Sequence, residues 1–161
     1  MKTIICNEQT FLENPSFFVD ALREFCSEQT YEGMLNTIKN NCFYLFVFDG
    51  DNNVVSWGRC AKTYGRKTMW CIRQVETKEK CQGKGFAGLL YVACEEYLQQ
   101  EKNAKRIYTF VDDDNEKSIR FHEKMGYKRV EKASREIREM HGWGSAIMFE
   151  KYIEKENEKI L

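Results

Sequence analysis

The stretch Val75–Cys94, which reads VETKEKCQGKGFAGLLYVAC, places a glycine-rich turn between the end of a strand and the start of a helix. The apolar run Met69–Ile72 and the alternation that leads into Val75 are typical of a strand. Glycine-rich backbone can direct successive N–H groups into one concavity, and the N-terminus of the following helix adds partial positive charge. The turn Gln82–Gly88 therefore predicts a binding site for a phosphate or pyrophosphate group.

Length and charge narrow the class of protein. The 161 residues are enough for one domain, residues 1–161, that buries its core without disulfides or a metal ion. The 25 basic and 25 acidic residues cancel, so nothing predicts a nucleic acid or an anionic membrane as a partner. No apolar run approaches the roughly 18 residues of a membrane span, and no secretion signal follows Met1.

The seven cysteines do not follow the spacing of a disulfide framework or a metal site. Their number is odd, no CxxC or CxH pair occurs, and the chain has only two histidines. Most of the cysteines lie in apolar runs, where a thiol behaves as a small hydrophobic group. We therefore expect no metal and a protein of the reducing cytoplasm.

The rest of the chain shows the periodicities of short strands and helices. The predicted strands are Thr3–Cys6, Cys42–Phe48, Val54–Lys62, Thr68–Thr77, Arg106–Val111, Tyr127–Lys132 and Ala146–Lys151. The predicted helices are one that begins at Pro15, then Thr30–Lys39, Phe86–Gln100 and Glu116–Met125, the last stopped by Gly126. The strands on either side of the helix after the glycine turn predict a parallel pair, whereas the three strands before the turn are predicted to be antiparallel.

Two nucleotide-binding patterns fit the glycine turn poorly. Gly83–Gly88 satisfies GxGxxG, but a dinucleotide-binding unit needs this pattern after its first strand, and here three antiparallel strands come first. A phosphate-binding P-loop needs Lys and then Ser or Thr after its second glycine, whereas Leu89 and Leu90 follow Gly88. A nucleotide-dependent oxidoreductase is kept only as an alternative that NAD(P) binding would reveal.

Two blocks of the sequence resemble the signatures of the GNAT N-acetyltransferase superfamily. Gln82, Gly85 and Ala87 match the superfamily's acyl-CoA pattern, Arg/Gln-x-x-Gly-x-Gly/Ala. The block Asn115–Tyr127 is similar to its second pattern, Asn-x-x-Ala-x-x-hydrophobic-Tyr-x-Lys-x-Gly-Phe, and comes a helix and a strand later, as in the family. The resemblance implies an α/β (α+β) fold whose mixed, mostly antiparallel sheet is flanked by helices and splayed between strands 4 and 5.

The resemblance also implies an activity. It predicts an N-acetyltransferase that moves an acetyl group from acetyl-CoA to a primary amine by direct attack within a ternary complex. The thioester carries its own activation, so the protein mainly aligns the amine, supplies a donor to the developing oxyanion and manages protons. The acceptor, a small-molecule amine or a peptide or protein amine, stays open, as does a monomer or a homodimer. The alternative from another class is a non-catalytic acyl-CoA-binding module that senses or scaffolds.

The resemblance assigns a set of residues to acetyl-CoA or coenzyme A. The set comprises Val75, Glu76, Thr77, Gln82, Gly83, Lys84, Gly85, Phe86, Ala87, Asn115, Ser118 and His122. The loop is expected to bind the pyrophosphate, and the main chain near Val75–Thr77 the pantetheine arm, with an N–H that could face the oxyanion. Lys84 adds charge at the rim or is merely solvated, and Asn115 contacts pantetheine, caps a helix or does both.

Two residues are the catalytic candidates. His122 stands where the family pattern often has the tyrosine that protonates the leaving thiolate, and an imidazole of pKa near 6.5 can protonate a thiol of pKa near 8.5. Alternatively, a histidine occurs at this position because its positive charge stabilises the C-terminus of the helix. Glu76 is the first candidate for the general base, or else a solvated carboxylate at a strand end. Weaker base candidates are Glu32, Asp112 and His141.

The acceptor pocket is the least defined part of the prediction. The aromatic residues that could line it, or could equally be core, are Trp57, Tyr64, Trp70, Tyr108 and Trp143. The segment 134–145 is a candidate for part of its mouth.

Overall fold

The computed structural model describes residues 1–131 and 146–153. Within them the strands are β1 Lys2–Cys6, β2 Cys42–Phe48, β3 Val54–Lys62, β4 Met69–Thr77, β5 Arg106–Val111, β6 Lys128–Val130 and β7 Ile147–Tyr152. The helices are α1 Glu8–Glu13, α2 Pro15–Arg23, α3 Tyr31–Lys39, α4 Phe86–Glu101 and α5 Glu116–Lys124, and a 3-10 turn Glu79–Cys81 precedes α4. None of these helices is long and apolar enough to cross a membrane.

The strands form one mixed sheet in the order β1-β2-β3-β4-β5-β7-β6. Every neighbouring pair is antiparallel except β4 and β5, which run parallel because α4 crosses over between them. The predicted fold class and the predicted parallel pair are confirmed.

Helices cover both faces of the sheet. The apolar positions Leu90, Cys94 and Leu98 recur at helical spacing on α4 and are buried against one face. On the other face, α1–α3 bury residues such as Phe11 and Leu22 against β1, β2 and β3. The sheet is therefore the middle layer, between α4 on one face and α1–α3 on the other.

The sheet opens between β4 and β5, as the resemblance implied. Three parallel residue pairs join the two strands, and the last is Cys71 with Tyr108. Beyond them, the side-chain hydroxyl of Thr109 donates to the carbonyl oxygen of Ile72 at 2.9 Å. Within the described residues, no pairing between these strands follows, so the C-terminal half of β4 presents backbone groups to a gap.

A β-bulge in β4 lies where the sheet opens. Arg59 of β3 pairs with Gln74 and Cys60 pairs with Ile72, so Arg73 is one residue in excess on β4. Ile72 and Val75 both pack on the α4 side although they are three residues apart, because the extra residue shifts the alternation. The bulge therefore determines which face each later residue of β4 occupies.

Several elements begin or end one residue away from the prediction, and two differences have a clear local cause. Helix α1 was not predicted; it is one and a half turns long with Phe11 as its buried residue, too short to show a period, and the Asn7 side chain caps it by accepting from Thr10 N–H at 3.0 Å. Strand β6 begins at Lys128 rather than Tyr127, because the Tyr127 N–H donates to the His122 carbonyl at 2.9 Å in the turn that ends α5 at Gly126.

Candidate active site

A cavity of about 410 Å³ lies in the gap between β4 and β5, bordered by the glycine turn, α4 and α5. The predicted binding residues that line it are Val75, Thr77, Gln82, Gly83, Gly85, Phe86, Ala87, Asn115, Ser118 and His122. The lining residues that the sequence interpretation missed are Cys81, Gly88, Tyr91, Lys117 and Phe121. The structure therefore brings both sequence blocks to one cavity.

The glycine turn offers backbone donors to an anion. Gly83 and Gly85 have φ values of 77° and 85°, a conformation that glycine adopts without strain. Gly85 is the N-cap of α4 and makes no side-chain cap, and the first turn of the helix contains no acidic residue. The N-terminal N–H groups of α4 thus keep their hydrogen-bonding capacity and the positive end of the helix dipole.

Two lysines lie near this turn, and they differ in position. Lys84 is exposed and does not line the cavity, whereas Lys117, in the first turn of α5, does. Lys117 is the residue better placed to add positive charge to an anion in the cavity. Its place two residues after Asn115, in the second sequence block, is the signal that could have identified it.

The end of β4 divides its side chains between two faces of the sheet. Val75 and Thr77 line the cavity, whereas Glu76 between them does not. The Glu76 carboxylate accepts a hydrogen bond from Trp57 Nε1 at 3.2 Å, and Trp57 packs with the α1–α3 layer. Only the main chain of Glu76 can therefore contact a ligand in the cavity, because its side chain lies on the opposite face of the sheet.

A wider groove of about 1020 Å³ lies on that opposite face. Glu76, Glu24 and Phe25 line it, together with residues of the turn after β4 and with Thr77 and Gln82, which also line the cavity. The Lys78 ammonium lies in this groove, 2.6 Å from Glu24 Oε1 and 5.7 Å from the centre of the Phe25 ring. An acidic and aromatic environment of this kind accommodates a primary ammonium group.

His122 is buried, and both of its ring nitrogens have partners inside the protein. Nδ1 lies 2.7 Å from the Ser118 carbonyl oxygen, which only accepts, so Nδ1 carries a proton. Nε2 lies 2.6 Å from the Tyr91 hydroxyl. Burial lowers the pKa of His122 below its ordinary value of 6.5, and the Ser118 hydrogen bond opposes this only in part. The neutral imidazole therefore accepts the Tyr91 O–H at Nε2.

Aromatic rings fix the orientation of this imidazole. Tyr91, Phe121 and Tyr127 meet it edge to face at centroid distances of 5.3, 5.2 and 5.8 Å. Phe149 of β7 stacks on it at 5.6 Å. Burial raises the pKa of Tyr91 far above its ordinary value of 10, so its hydroxyl keeps its proton. The Tyr91–His122 pair is thus a fixed, neutral hydrogen-bonded unit at the cavity wall.

Comparison with known proteins identifies the family. Residues 8–127 match the acetyltransferase (GNAT) family. The chain belongs to this family. No curated protein matches the sequence.

Solved structures with low sequence identity have the same fold as this GNAT chain. The PaiA N-acetyltransferase from Thermoplasma acidophilum, in complex with coenzyme A, is 15% identical with a TM-score of 0.65, and the match covers 94% of this chain and 99% of that one. An aminoglycoside 6'-N-acetyltransferase complexed with coenzyme A is 18% identical with a TM-score of 0.67, covering 95% and 97%. A spermidine N-acetyltransferase chimera from Vibrio cholerae and hSSAT is 17% identical with a TM-score of 0.63, covering 94% and 96%.

The second sequence block of the GNAT chain begins with a helix cap. Asn115 Oδ1 accepts from the Ser118 N–H at 3.1 Å and caps α5, while Asn115 also lines the cavity. The cap uses one side-chain oxygen and leaves the amide N–H groups available to a ligand. The two roles considered for Asn115 are therefore compatible.

The remaining candidates lie outside this cavity. Glu32 and Asp112 are exposed and line neither the cavity nor the groove. Trp57, Trp70 and Tyr108 are buried in the core, and Tyr64 is 89% exposed. The candidates His141 and Trp143 and the segment 134–145 lie outside the described residues, as does the tail from Glu154. Among the described residues, no group of three or more His, Cys, Asp and Glu side chains could hold a metal ion.

Proposed function

We propose that this GNAT chain transfers an acetyl group from acetyl-CoA to a primary amine by direct attack within a ternary complex. The observation that carries the proposal is the cavity in the β4–β5 gap, whose wall contains both the glycine turn and the second sequence block. Membership of an acetyltransferase family and the coenzyme A complexes of two structural neighbours support it.

The donor fits the chemistry of the cavity wall. The N–H groups of the glycine turn and the uncapped N-terminus of α4 suit a pyrophosphate, and Lys117 adds positive charge. The unpaired edge of β4 beyond Cys71 can hydrogen-bond the amides of pantetheine, and one of its N–H groups can stabilise the oxyanion. Acetyl-CoA contributes an activated thioester, so the residues of this chain need only bind, orient and move protons.

The acceptor amine fits the groove on the opposite face of β4. The side chain of Glu76, a residue of β4, lies in this groove, and the thioester would lie on the other face of the same strand. Trp57 holds the Glu76 carboxylate in place through a hydrogen bond. A carboxylate in this position can take the proton of an ammonium group directly or through water. Lys78 already places a primary ammonium in the groove, which supports a primary amine as the acceptor class.

The free thiols of the cysteines bear on the cellular location of the protein. All seven cysteines are free, four of them buried, which supports a location in the reducing cytoplasm.

Ligand-dependent thermal stability tests the donor. A ligand that binds only the folded state stabilises it and so raises the melting temperature. At a ligand concentration of a hundred times the dissociation constant, the stabilisation is about 2.7 kcal/mol. We expect acetyl-CoA and CoA to raise the melting temperature and NAD and ATP to leave it unchanged. A shift with NAD alone, or none with CoA, would overturn the proposal. Stabilisation by CoA without thiol release across a panel of primary amines would favour a non-catalytic acyl-CoA-binding module instead.

The base is tested by replacing Glu76 with Gln. The amide keeps the shape and the Trp57 contact but cannot take a proton, so we expect thiol release with the best amine to fall about 100-fold. CoA affinity should be unchanged, because the side chain lies outside the donor cavity. The matched control is Glu79→Gln, which alters another carboxylate of the same groove and should retain activity. Equal losses in both variants would contradict the role of Glu76.

A further inference from the structure

The leaving thiolate needs a proton, yet the imidazole of His122 has no free nitrogen to supply it. Nδ1–H is bonded to the Ser118 carbonyl oxygen, and Nε2 is occupied by Tyr91. Four aromatic rings of the described residues pack on the imidazole and hold it in the orientation in which both nitrogens are bonded. Whatever His122 does for a ligand in the cavity, it does through a neighbour.

The Tyr91 hydroxyl is the neighbour that can act on the ligand. Tyr91 lies on α4, lines the cavity and holds its oxygen 2.6 Å from His122 Nε2. If the proposed function holds, we propose that Tyr91 presents the proton donor to the sulfur of bound CoA, and that His122 is the positioning residue behind it. The catalytic hydroxyl is then supplied by α4, whereas the family pattern has it on the helix that here carries His122.

The protonation state of His122 controls the direction of the Tyr91 O–H. A neutral imidazole accepts that O–H at Nε2, so the Tyr91 oxygen has only lone pairs left for another partner. An imidazolium donates from Nε2 to the same oxygen and frees the O–H for the sulfur. Negative charge on a nearby sulfur favours the charged imidazole, so departure of the thiolate itself turns the pair into a donor.

In the surroundings of the imidazole, the thiolate of CoA would be the charge with the largest effect on the His122 pKa. The ionisable groups packed nearest are the hydroxyls of Tyr91 and Tyr127, and burial raises the pKa of both. Tyr127 donates to Glu95, whose charge is balanced by Lys151 at 2.9 Å. Burial lowers the pKa of His122, and no charged side chain of residues 1–131 or 146–153 contributes to that shift. A thiolate in the cavity would therefore be the first uncompensated charge that the pair meets.

The transfer step balances. The C–S bond breaks and its electron pair stays on sulfur. As negative charge develops on the sulfur, the neutral imidazole takes up one proton from solvent and becomes an imidazolium. The Tyr91 O–H bond then breaks as its proton forms the S–H bond, and the Nε2 proton of the imidazolium replaces it on the Tyr91 oxygen. The imidazole is left neutral, which is its state in the free protein. The proton of the attacking amine is taken separately by Glu76 or by water.

Ionisation of the thiol of bound CoA tests this assignment without an acceptor. The ultraviolet difference between CoA and desulfo-CoA, each bound to the whole protein, reports the thiolate as a function of pH. We expect the thiol of CoA bound to the wild-type protein to ionise at lower pH than that of free CoA, since a hydrogen bond to the charged form lowers its pKa. At saturating CoA, Tyr91→Phe should lower the ratio of bound thiolate to bound thiol at a fixed pH about tenfold, a shift of roughly one pKa unit.

Two further variants complete the design. His122→Asn cannot carry the positive charge and should also raise the pKa of the bound thiol. Tyr97→Phe removes a hydroxyl from the same helix, one that accepts a hydrogen bond from Asn7 and does not line the cavity, and should leave the thiol pKa unchanged. A wild-type shift that His122→Asn abolishes and Tyr91→Phe leaves intact would overturn the inference, because the imidazole would then contact the sulfur itself. Failure of the wild-type protein to bind CoA would instead overturn the proposed function.

Discussion

Gly85 determines the geometry of the glycine turn. It caps α4 with φ of 85°, and a Cβ built on it meets no atom within 4 Å, so backbone strain is the main cost of a side chain there. We expect Gly85→Ala to lower the free energy of unfolding by about 1–2 kcal/mol and to weaken CoA binding. Gly50→Ala, equally uncrowded and without a positive φ, is the control and should be nearly neutral in both measurements. Chemical denaturation and CoA titration check the pair of variants.

The buried imidazole of His122 makes stability depend on pH in a definite direction. Its folded-state pKa lies below 6.5, so the unfolded chain takes up the proton first as the pH falls. The wild-type protein should therefore lose stability relative to His122→Asn as the pH drops below about 6.5. The difference in unfolding free energy should be constant above that range. Since both proteins retain His141, its titration cancels, and a difference that grows as the pH rises would contradict the buried neutral state.

At the scale of one element, the bulge in β4 bends the strand and determines which face of the sheet each later residue of β4 occupies. We expect deletion of Arg73 to restore a regular ladder, extend the β4–β5 pairing and close the gap, because a bulge increases the local bend and twist. The deletion should weaken CoA binding more than tenfold while the protein stays folded, as measured by titration and circular dichroism. Arg73→Ala, which keeps the extra residue, should bind CoA normally. If the deletion and Arg73→Ala weaken CoA binding equally, the loss of the Arg73 side chain, and not the loss of the bulge, would explain the effect.

The sequence predicted most elements because their signals are local. Apolar alternation marked β2 and β3, and the caps marked α3 and α5 through Thr30 and Asn115. The bulge was missed, although two polar residues between Ile72 and Val75 break the alternation and indicate it. Helix α1 is too short to show a period.

The chemistry of the site was less predictable than its location. The contact of Tyr91 with His122 joins residues 31 positions apart on two helices, so only packing reveals it. The same packing occupies both ring nitrogens, which no spacing rule predicts. The glycine turn, by contrast, was predictable because its conformation depends on its own glycine backbone.

At the scale of the whole molecule, three residue pairs between β4 and β5 join the two parts of the sheet, β1–β4 and the described strands β5, β7 and β6. A ligand that hydrogen-bonds the free edge of β4 should hold the two parts together. We expect CoA to slow amide hydrogen exchange in β4 beyond Cys71 and in the first turns of α4 and α5. The β1–β2 ladder is fully paired and far from the cavity, so its exchange should be unchanged. Uniform slowing throughout the sheet would instead indicate a general gain in stability.

The alternation of Val75, Glu76 and Thr77 between two faces of one strand also has an evolutionary consequence. If the proposed function holds, mutations at Glu24 and Phe25 would alter the groove without touching the cavity, so a duplicated gene could acquire a new amine while it inherits an intact donor site. Selection could then act on most of each surface separately, except at Thr77 and Gln82, which line both. That separation offers a physical reason why one backbone persists among enzymes named for aminoglycosides and for spermidine at identities below 20%.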